Sequence, residues 1–526
     1  MKHRKRNVLI VVVSVLGLVV LDIYLMHNRQ VGALDAYRRV LTSNGEKLTI
    51  VGNIPKPVPE DQNGAPIVLA AMRLLSSDES AVTSNPPPAM QMVAPGRAMI
   101  GWQQPDIRSS WQEASNTWDQ METDLSLDDE ALTLLAQIMD KPFLDFHLDY
   151  AQGPSLPVRH LVKFKVLAQR LCAAALCNLH HHDDAAAGTN VLTALALVRG
   201  MGDETILISQ LVRYAMAAIT FTASWELLQS TNLTDAQLTA LQKSWMDLKI
   251  IAAAEQSLSM ERAFGEMMAA RLRASPSEIH SLYGVFGGGS SASGSSSGDW
   301  FDQVAETLKE GWHDTKNKGQ EFLWQVAWSY PDQLRSLKGY QVLLESTRMV
   351  QTNEDFNAAR KFQTNQLAQL GINVSGDDEA WLGFLANSDG GDLRRLFSSS
   401  VEIVNRMLPR LMSIEASREI AITAIALKRY QLLHSHYPET LAELTPELLP
   451  SVPPDPADGQ PLRYRRNGGG TFTLYSIGDD GIDDGGDPGP TGHSTRNYWL
   501  RARDWVWPVP ATAKEIEKFS EAEASK

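Results

Sequence analysis

An uncharged, strongly apolar run, VLIVVVSVLGLVVL, occupies residues 8–21, directly behind the basic start MKHRKR. With residues 23–26 the run reaches roughly 20 residues, which is the length that a helix needs to cross a bilayer. Basic residues in front of such a helix favour an N-terminus that stays inside the cell. The pattern therefore predicts a cytoplasmic basic segment over residues 1–6 and a transmembrane signal anchor over residues 7–26.

This orientation predicts a single-pass protein of the bacterial inner membrane, with the bulk of the chain on the periplasmic side. The membrane and other envelope proteins are then the expected partners. Cleavage is the alternative, because Val31 and Ala33 satisfy the small-residue rule of a signal peptide before Leu34.

The chain is acidic, with 62 Asp and Glu against 48 Lys and Arg and a net charge of −14. Four of the basic residues lie within the first six positions, so the remainder is more acidic still. Such a body repels phosphate backbones, and no basic stripe with interleaved aromatic residues is present. Nucleic acid is therefore excluded as an expected partner.

Apolar residues repeat at helical spacing through most of the chain, as in the series Phe164, Leu167, Leu171 and Ala174. Thr234 and Gln237 have the spacing of a capping box at a helix start. Breaks fall about every 20 residues, which is typical of antiparallel helical hairpins. We expect a mainly α fold with a helical-hairpin, solenoid-like body behind the N-terminal transmembrane helix.

Composition divides the rest of the chain into six segments. They are a membrane-proximal helix with a proline-rich extended region (27–110), a helical domain (111–286), a Gly/Ser-rich linker (287–298), a second helical region (299–433), a small C-terminal α+β module (434–510) and a charged tail (511–526).

The C-terminal module has a distinct order of motifs: a long helix, a Tyr-Pro turn, a proline-rich stretch, the strand-like TFTLYS and an acidic loop. This order resembles the C-terminal domain of type II secretion major pseudopilins and related type IV pilin-like proteins. The matching positions are Tyr437-Pro438, Asp455-Pro456, Gly459, Pro461, Tyr464, Leu474-Tyr475-Ser476, Gly478, Asp480-Gly481 and Gly485-Gly486. The resemblance implies a pseudopilin-like fold over under a fifth of the chain.

Two features depart from that family. The apolar run lies some 400 residues upstream of the module, and RKRNVLIVVV lacks the prepilin-peptidase signature with its glutamate.

The whole chain also resembles uncharacterised, membrane-anchored proteins of planctomycete and verrucomicrobial type, which share an ending similar to DWVWP (residues 504–508).

The loop YSIGDDGIDDGGD concentrates acidic residues behind the predicted strand. In major pseudopilins the corresponding loop binds calcium, and calcium takes six to eight oxygen ligands from carboxylates and carbonyls on glycine-turned loops. The resemblance thus implies a possible calcium cofactor. The metal-ligating candidates are Asp479, Asp480, Asp483, Asp484 and Asp487. The alternative is a solvated acidic turn.

Two further clusters carry less chemistry. Adjacent helical residues point 100° apart, so His180, His181 and His182 are interpreted as a polar hairpin and not as a metal site. Cys172 and Cys177 lie too far apart on a helix for a disulfide and are interpreted as core residues.

No catalytic constellation is recognised, so no catalytic residue is predicted. The expected function is a membrane-anchored envelope scaffold or protein-binding protein, non-enzymatic and associated with secretion or pilus-like machinery, with a calcium-stabilised loop. The alternative is an envelope hydrolase that acts on glycan or peptide. A solute-binding receptor would require a pocket that the sequence does not locate.

Overall fold

The computed structural model describes residues 2–76, 87–107, 117–275, 323–353, 355–374, 393–489 and 503–524. The predicted mainly α fold is confirmed. Fifteen α-helices lie in these ranges: α1 (Lys2–Ser43), α2 (Ile50–Asn53), α3 (Ala65–Leu74), α4 (Trp118–Ser126), α5 (Asp129–Ala136), α6 (Leu161–His180), α7 (Asp184–Gly200), α8 (Leu207–Leu228), α9 (Asp235–Met246), α10 (Ile250–Ala274), α11 (Ser329–Asn353), α12 (Phe356–Gln369), α13 (Ser398–Val404), α14 (Met407–His434) and α15 (Ala513–Ala524). The predicted linker over 287–298 lies outside the described residues.

The predicted transmembrane anchor is wrong. Of the helices that the structure describes, none has both the length and the apolar character of a membrane span. Residues 7–26 are instead the first half of α1, which continues without a break to Ser43. The sequence interpretation treated the apolar run as a separate element and missed this continuation.

The second half of α1 is a docking helix. Leu34 and Leu41 are buried in a small apolar cluster with Leu337 of α11. The Nδ1 atom of His27 lies 2.9 Å from the carbonyl oxygen of Val326, and Arg38 donates to Glu266 of α10 at 2.7 Å. These contacts of its C-terminal half fix α1 to the body.

The centre of the body is built from the helices α6, α7, α8 and α14, in which most residues are buried. Helix α6 packs against both α7 and α8, and α14 lies against α8 and α9. The repeat of Leu161, Phe164, Leu167 and Leu171 places one row of buried side chains along α6, as the periodicity predicts. Thr234 and Gln237 form the predicted capping box at the start of α9.

One hydrophobic cluster extends from Val68 to Trp507 and includes side chains of α6–α8, α11, α12, α14 and the C-terminal strands. The two predicted helical regions and the C-terminal module thus share a core. The long helix that the sequence predicts before the Tyr-Pro turn is divided between α13 and α14, because the side chain of Asn405 donates to the carbonyl oxygens of Glu402 and Asn373 at the junction.

Six short strands form two three-stranded sheets. The strands are β1 (Gln91–Ala94), β2 (Arg97–Met99), β3 (Arg463–Asn467), β4 (Thr471–Ser476), β5 (Trp505–Val506) and β6 (Val509–Pro510). One sheet has the order β1-β2-β6 and the other β3-β4-β5. Since β6 pairs in parallel with β2, the end of the chain returns to a hairpin near its beginning.

Glu226 of α8 attaches the β1–β2 hairpin to the helical body. Its side chain is fully buried and accepts hydrogen bonds from the backbone N–H groups of Met90 at 2.7 Å and Gly101 at 2.9 Å. A side chain at position 101 would come within 2.1 Å of the carbonyl oxygen of Pro88, so only glycine allows this approach. Burial raises the pKa of Glu226 to about 8, although these backbone donors lower it in part.

Asp332 at the start of α11 plays a similar part. It accepts from the backbone N–H groups of Phe397 at 2.6 Å and Ser398 at 3.2 Å, which lie just before and within α13. Burial raises its pKa to about 6. Both carboxyl groups therefore bind a proton more tightly in the folded chain than in the unfolded chain.

We expect the free energy of unfolding to fall as the pH rises from 5 to 8. Between pH 4.5 and 8 the folded chain keeps the Glu226 proton that the unfolded chain releases, so this group contributes fully below 4.5 and its contribution disappears as the pH passes 8. The limiting slope is about 1.4 kcal/mol per pH unit for each such group. Glu226→Gln should flatten the pH dependence measured by urea unfolding, whereas Glu517→Gln on exposed α15 should leave it unchanged. Equal slopes in wild type and Glu226→Gln would contradict the assignment.

A candidate functional site in the C-terminal module

The C-terminal module begins where α14 ends. Ser435 adopts a left-handed conformation (φ 62°) that stops the helix, and a short 3₁₀ turn follows at Leu441–Leu444. The strand predicted from TFTLYS is confirmed as β4, which pairs with β3 along its whole length. The acidic loop then begins at Gly478, whose φ of 70° and closeness to the Arg503 carbonyl oxygen exclude other residues.

Asp455 is the buried centre of the module. One carboxylate oxygen accepts from the Ser476 hydroxyl at 2.6 Å and the Ala457 N–H at 3.0 Å. The other accepts from the Ile477 N–H and from the Arg463 guanidinium, both at 2.9 Å. Burial raises the pKa of Asp455, and these donors oppose that change. The residue thus fixes the turn before β3 to the end of β4.

Arg463 of β3 lies between this centre and the acidic loop. It donates to Asp458 at 2.6 and 3.0 Å as well as to Asp455, and its Nε atom lies 3.6 Å from a carboxylate oxygen of Asp483. One guanidinium therefore compensates carboxylates from three places in the module, a task suited to its fixed fork of donors.

Asp504, immediately before β5, organises the far side of the loop. It is fully buried and accepts from the backbone N–H groups of Asp484 (3.4 Å), Gly486 (2.7 Å) and Asp487 (3.0 Å). Burial raises its pKa, and the backbone donors oppose the rise. Residues 484–487 of the loop are thus wrapped around one carboxylate.

The five predicted metal ligands occupy different positions around this loop. Asp479, Asp480, Asp483 and Asp484 are exposed, and Asp487 is half-buried. Asp480 accepts from the N–H of Ile482, while Asp483 accepts from the Tyr475 hydroxyl and the Gly485 N–H. That backbone N–H lowers the pKa of Asp483.

Asp487 and Asp479 also make their contacts within the protein. Asp487 accepts from the Gly489 N–H at 2.9 Å and from Arg503 at 2.9 Å, and the carbonyl oxygen of Asp479 accepts from Arg360 of α12 at 3.0 Å. In the described parts of the chain, no three His, Cys, Asp or Glu side chains are close enough to share a metal ion. The structure does not test whether calcium rearranges these side chains, so the calcium site at Asp479, Asp480, Asp483, Asp484 and Asp487 stays a prediction.

The loop reveals what the sequence interpretation missed. It considered only a calcium ion or solvent as the surroundings of the five aspartates, and it did not include Arg463, Arg503 or the buried Asp504. Arg463 was visible in LRYRR, eight residues after Asp455. Asp504 carried no signal, because its role depends on backbone N–H groups up to 20 residues away.

The module is joined directly to the helical body. The N–H groups of Phe356 and Asn357 at the start of α12 donate to the carbonyl oxygens of Pro456 and Ala457 at 2.9 and 3.2 Å. Trp225 of α8 donates to the carbonyl oxygen of Pro508 at 3.0 Å, and the buried Trp507 packs edge-on against Phe221. Trp505 and Trp507 are therefore core residues.

The histidine and cysteine residues that the sequence analysis considered contact other parts of the protein. His180 stacks on Trp118 and its Nδ1 atom lies 2.8 Å from the Trp102 carbonyl oxygen, while His181 faces Glu122. Cys172 and Cys177 are buried and unlinked, and burial raises the pKa of the Cys177 thiol to about 11. Both cysteines are thus core residues, as predicted.

Comparisons with models of protein families, with curated proteins and with solved structures find no match to this chain.

Replacing Arg463 by alanine should lower the free energy of unfolding by about 3 kcal/mol, because it leaves the fully buried Asp455 without its cation. Arg465→Ala, two residues along the same strand and exposed, should change stability by less than about 0.5 kcal/mol. Urea unfolding followed by tryptophan fluorescence measures both. Similar losses in the two variants would show that Asp455 does not depend on Arg463.

Calcium titration tests whether a bound cation stabilises the acidic loop further, in addition to the arginine and backbone donors that already contact its carboxylates. A cation that binds only the native loop at a hundredfold excess over its Kd would stabilise it by about 2.7 kcal/mol. The predicted rise in melting temperature, relative to chelator, should disappear in Asp480→Asn/Asp484→Asn. An unchanged melting temperature in wild type would remove the calcium hypothesis.

Proposed function

We propose that this protein is a non-enzymatic scaffold that binds another protein through its C-terminal module. The helical-hairpin body supplies a rigid support, and the module, pseudopilin-like in its order of motifs, supplies the binding surface. The resemblance makes a pilin-like or other envelope protein of the secretion machinery the partner to seek.

The observation that carries this proposal is the way in which the module is built into the body. Backbone hydrogen bonds from α12, the Trp225–Pro508 bond and the parallel pairing of β6 with β2 hold it at three separate places. A module attached by a flexible linker could reorient on its own. A module that is held at three places keeps its position relative to the body under load, which is what a scaffold requires.

The protein donors around Glu46, Asp128, Asp455 and Asp504 favour a structural role for these four carboxylates over a role in the hydrolase alternative. Glu46 is nearly buried between α10 and α11, where it accepts hydrogen bonds from Arg262 (2.7 Å) and Gln341 (3.1 Å) and forms an ion pair with Arg348 (2.5 Å). Burial acts to raise its pKa, but these donors, with Arg348 foremost, lower the pKa to about 2. Such a carboxylate stays ionised at neutral pH and cannot donate a proton as a general acid.

Arg170 and Asp128 form a second buried pair, with both side chains fully inaccessible to solvent. With Asp455 and Asp504, these groups connect segments that are distant in sequence. Glycoside hydrolysis requires two carboxyl groups that flank a bound substrate, whereas these four carboxylates face protein donors.

The exposed edge of the acidic loop is the proposed contact surface. Asp480 and Asp484 are exposed and carry no compensating arginine among the described residues, and Ile482 between them is 59% exposed. An apolar side chain flanked by carboxylates suits a partner surface that pairs an apolar patch with Lys or Arg.

Asp480→Asn/Asp484→Asn should reduce copurification of the native partner several-fold, because it removes two exposed charges and keeps the side-chain shape and the Asp480 turn bond. Glu517→Gln/Glu521→Gln on α15 removes the same charge from another exposed surface and should have no effect. Quantitative mass spectrometry after crosslinking in the native cells measures the enrichment. Equal enrichment with wild-type and loop-variant bait would exclude the loop as the contact surface.

The hydrolase alternative makes an opposite prediction for the purified chain. It requires turnover of generic glycan or peptide substrates that is lost on a single Asp or Glu substitution. Turnover of that kind would replace the scaffold proposal.

A further inference from the structure

A cleft of about 580 Å³ opens between helices α4, α5, α6 and α7, far from the C-terminal loop in sequence. Its volume is within the range of about 300–1,000 Å³ that is typical of small-molecule sites. The proposed scaffold function does not use it.

The cleft carries two carboxylates on adjacent helices. Glu122 of α4 lies 3.5 Å from the Nε2 atom of His181 on the opposite rim, and its side chain is 61% exposed. Asp129 is the first residue of α5, and no side-chain hydrogen bond or ion pair to it occurs among the described residues. The cleft is therefore negatively charged at its mouth.

Two side-chain amides add polar groups without protein partners. Asn178 near the end of α6 and Asn190 of α7 both line the cleft and are half-buried. In the described ranges neither amide makes a side-chain hydrogen bond, although nearby Ser126 and Thr189 hydroxyls bond to their own helices. Half-buried amides without partners have hydrogen-bonding capacity available for a ligand.

The floor of the cleft is apolar. Leu125, Leu132, Ala174 and Cys177 lie there with exposed fractions below 10%. The combination of a charged mouth, amides on the walls and an apolar floor matches a ligand with a cationic end and a hydrocarbon chain. It matches a bare metal ion poorly, because no three potential metal-ligating side chains are grouped within the described residues.

The rim is held in place before any ligand arrives. His180 stacks on Trp118 at 4.4 Å, so the end of α6 is fixed to the start of α4, one turn before Glu122. His182 takes a left-handed conformation (φ 63°), and Asp183 caps α7 through the Ala186 N–H at 2.9 Å. A preformed site avoids much of the ordering cost of binding.

We infer that this cleft binds a small organic cation of the alkyl diamine or polyamine class. Glu122 and Asp129 accept hydrogen bonds from ammonium groups, Asn178 and Asn190 orient the ligand, and the methylene chain lies on the floor at Leu125 and Leu132. This assigns the polar hairpin LHHHDD a place on the rim of a binding site.

Isothermal titration calorimetry and thermal unfolding of the full chain with spermidine and cadaverine test this inference. Both amines should bind and raise the melting temperature, and Glu122→Gln/Asp129→Asn should weaken binding by about tenfold or more, as loss of charge-assisted hydrogen bonds implies. Glu130→Gln and Asp119→Asn remove neighbouring exposed charges outside the cleft and should leave the affinity unchanged.

Three controls separate binding in the cleft from general charge effects. 1,5-Pentanediol has the chain without the charge and should not bind, and sodium or magnesium chloride at matched ionic strength should not reproduce the stabilisation. Asp480→Asn/Asp484→Asn should bind amines as wild type does, so failure of the scaffold proposal leaves this result intact. No heat of binding at millimolar amine, equal binding by Glu122→Gln/Asp129→Asn, or equal stabilisation by salt would each overturn the inference.

Discussion

A buried carboxylate must find hydrogen-bond donors within the protein, and this requirement organises the long-range structure of the chain. Burial of a carboxyl group without hydrogen-bond partners costs free energy whether the group is protonated or ionised, and it costs several kcal/mol when the group is ionised, so each such group is stable only where donors converge on it. Glu226 collects the N–H groups of Met90 and Gly101 across more than 100 residues of sequence. Asp332 does the same for the start of α13. The apolar core supplies most of the driving force for folding, but it is non-directional. These carboxylates specify which segments meet.

The same requirement explains how the C-terminal module becomes part of the body. Its strands are too short and too few to be stable alone, since isolated hairpins are marginal in water. Asp455 and Asp504 connect separate segments of the module through the hydrogen bonds that they accept. Trp505 and Trp507 are buried in addition, and Trp507 packs against Phe221 of α8. The acidic loop is thus the exposed part of a module whose buried part belongs to the core of the body. Its exposed aspartates are held in place by backbone contacts, so charge can be displayed without loss of order.

Local signals in the sequence predicted local structure well. The alternation in TFTLYS located β4, and the Thr234–Gln237 spacing located the start of α9, because both depend on neighbours within six residues. The same reasoning failed at α1 and at the α13–α14 junction. At α1, a run of apolar residues has the same sequence pattern at the start of a docking helix as in a transmembrane span. At the α13–α14 junction, the break at Asn405 depends on Asn373, which is 32 residues away. In the candidate site, the sequence supplied the carboxylates but not their donors, since backbone N–H groups are present at every residue other than proline and leave no pattern to read.

Buried charged groups with protein partners differ from the polar groups that line the proposed amine-binding cleft. Arg170, Asp128, Glu46 and Asp455 are charged and buried, and each has its partner within the fold. Composition alone cannot distinguish them from the polar residues of the cleft, because both sets are Asp, Glu, Asn and Arg on helices. The difference lies in what surrounds them: Asn178, Asn190 and Asp129 line an open volume, and no described residue supplies their side chains with partners. Because Arg170, Asp128, Glu46 and Asp455 already have partners within the fold, the polar groups that line the cleft are the ones with hydrogen-bonding capacity left for a ligand.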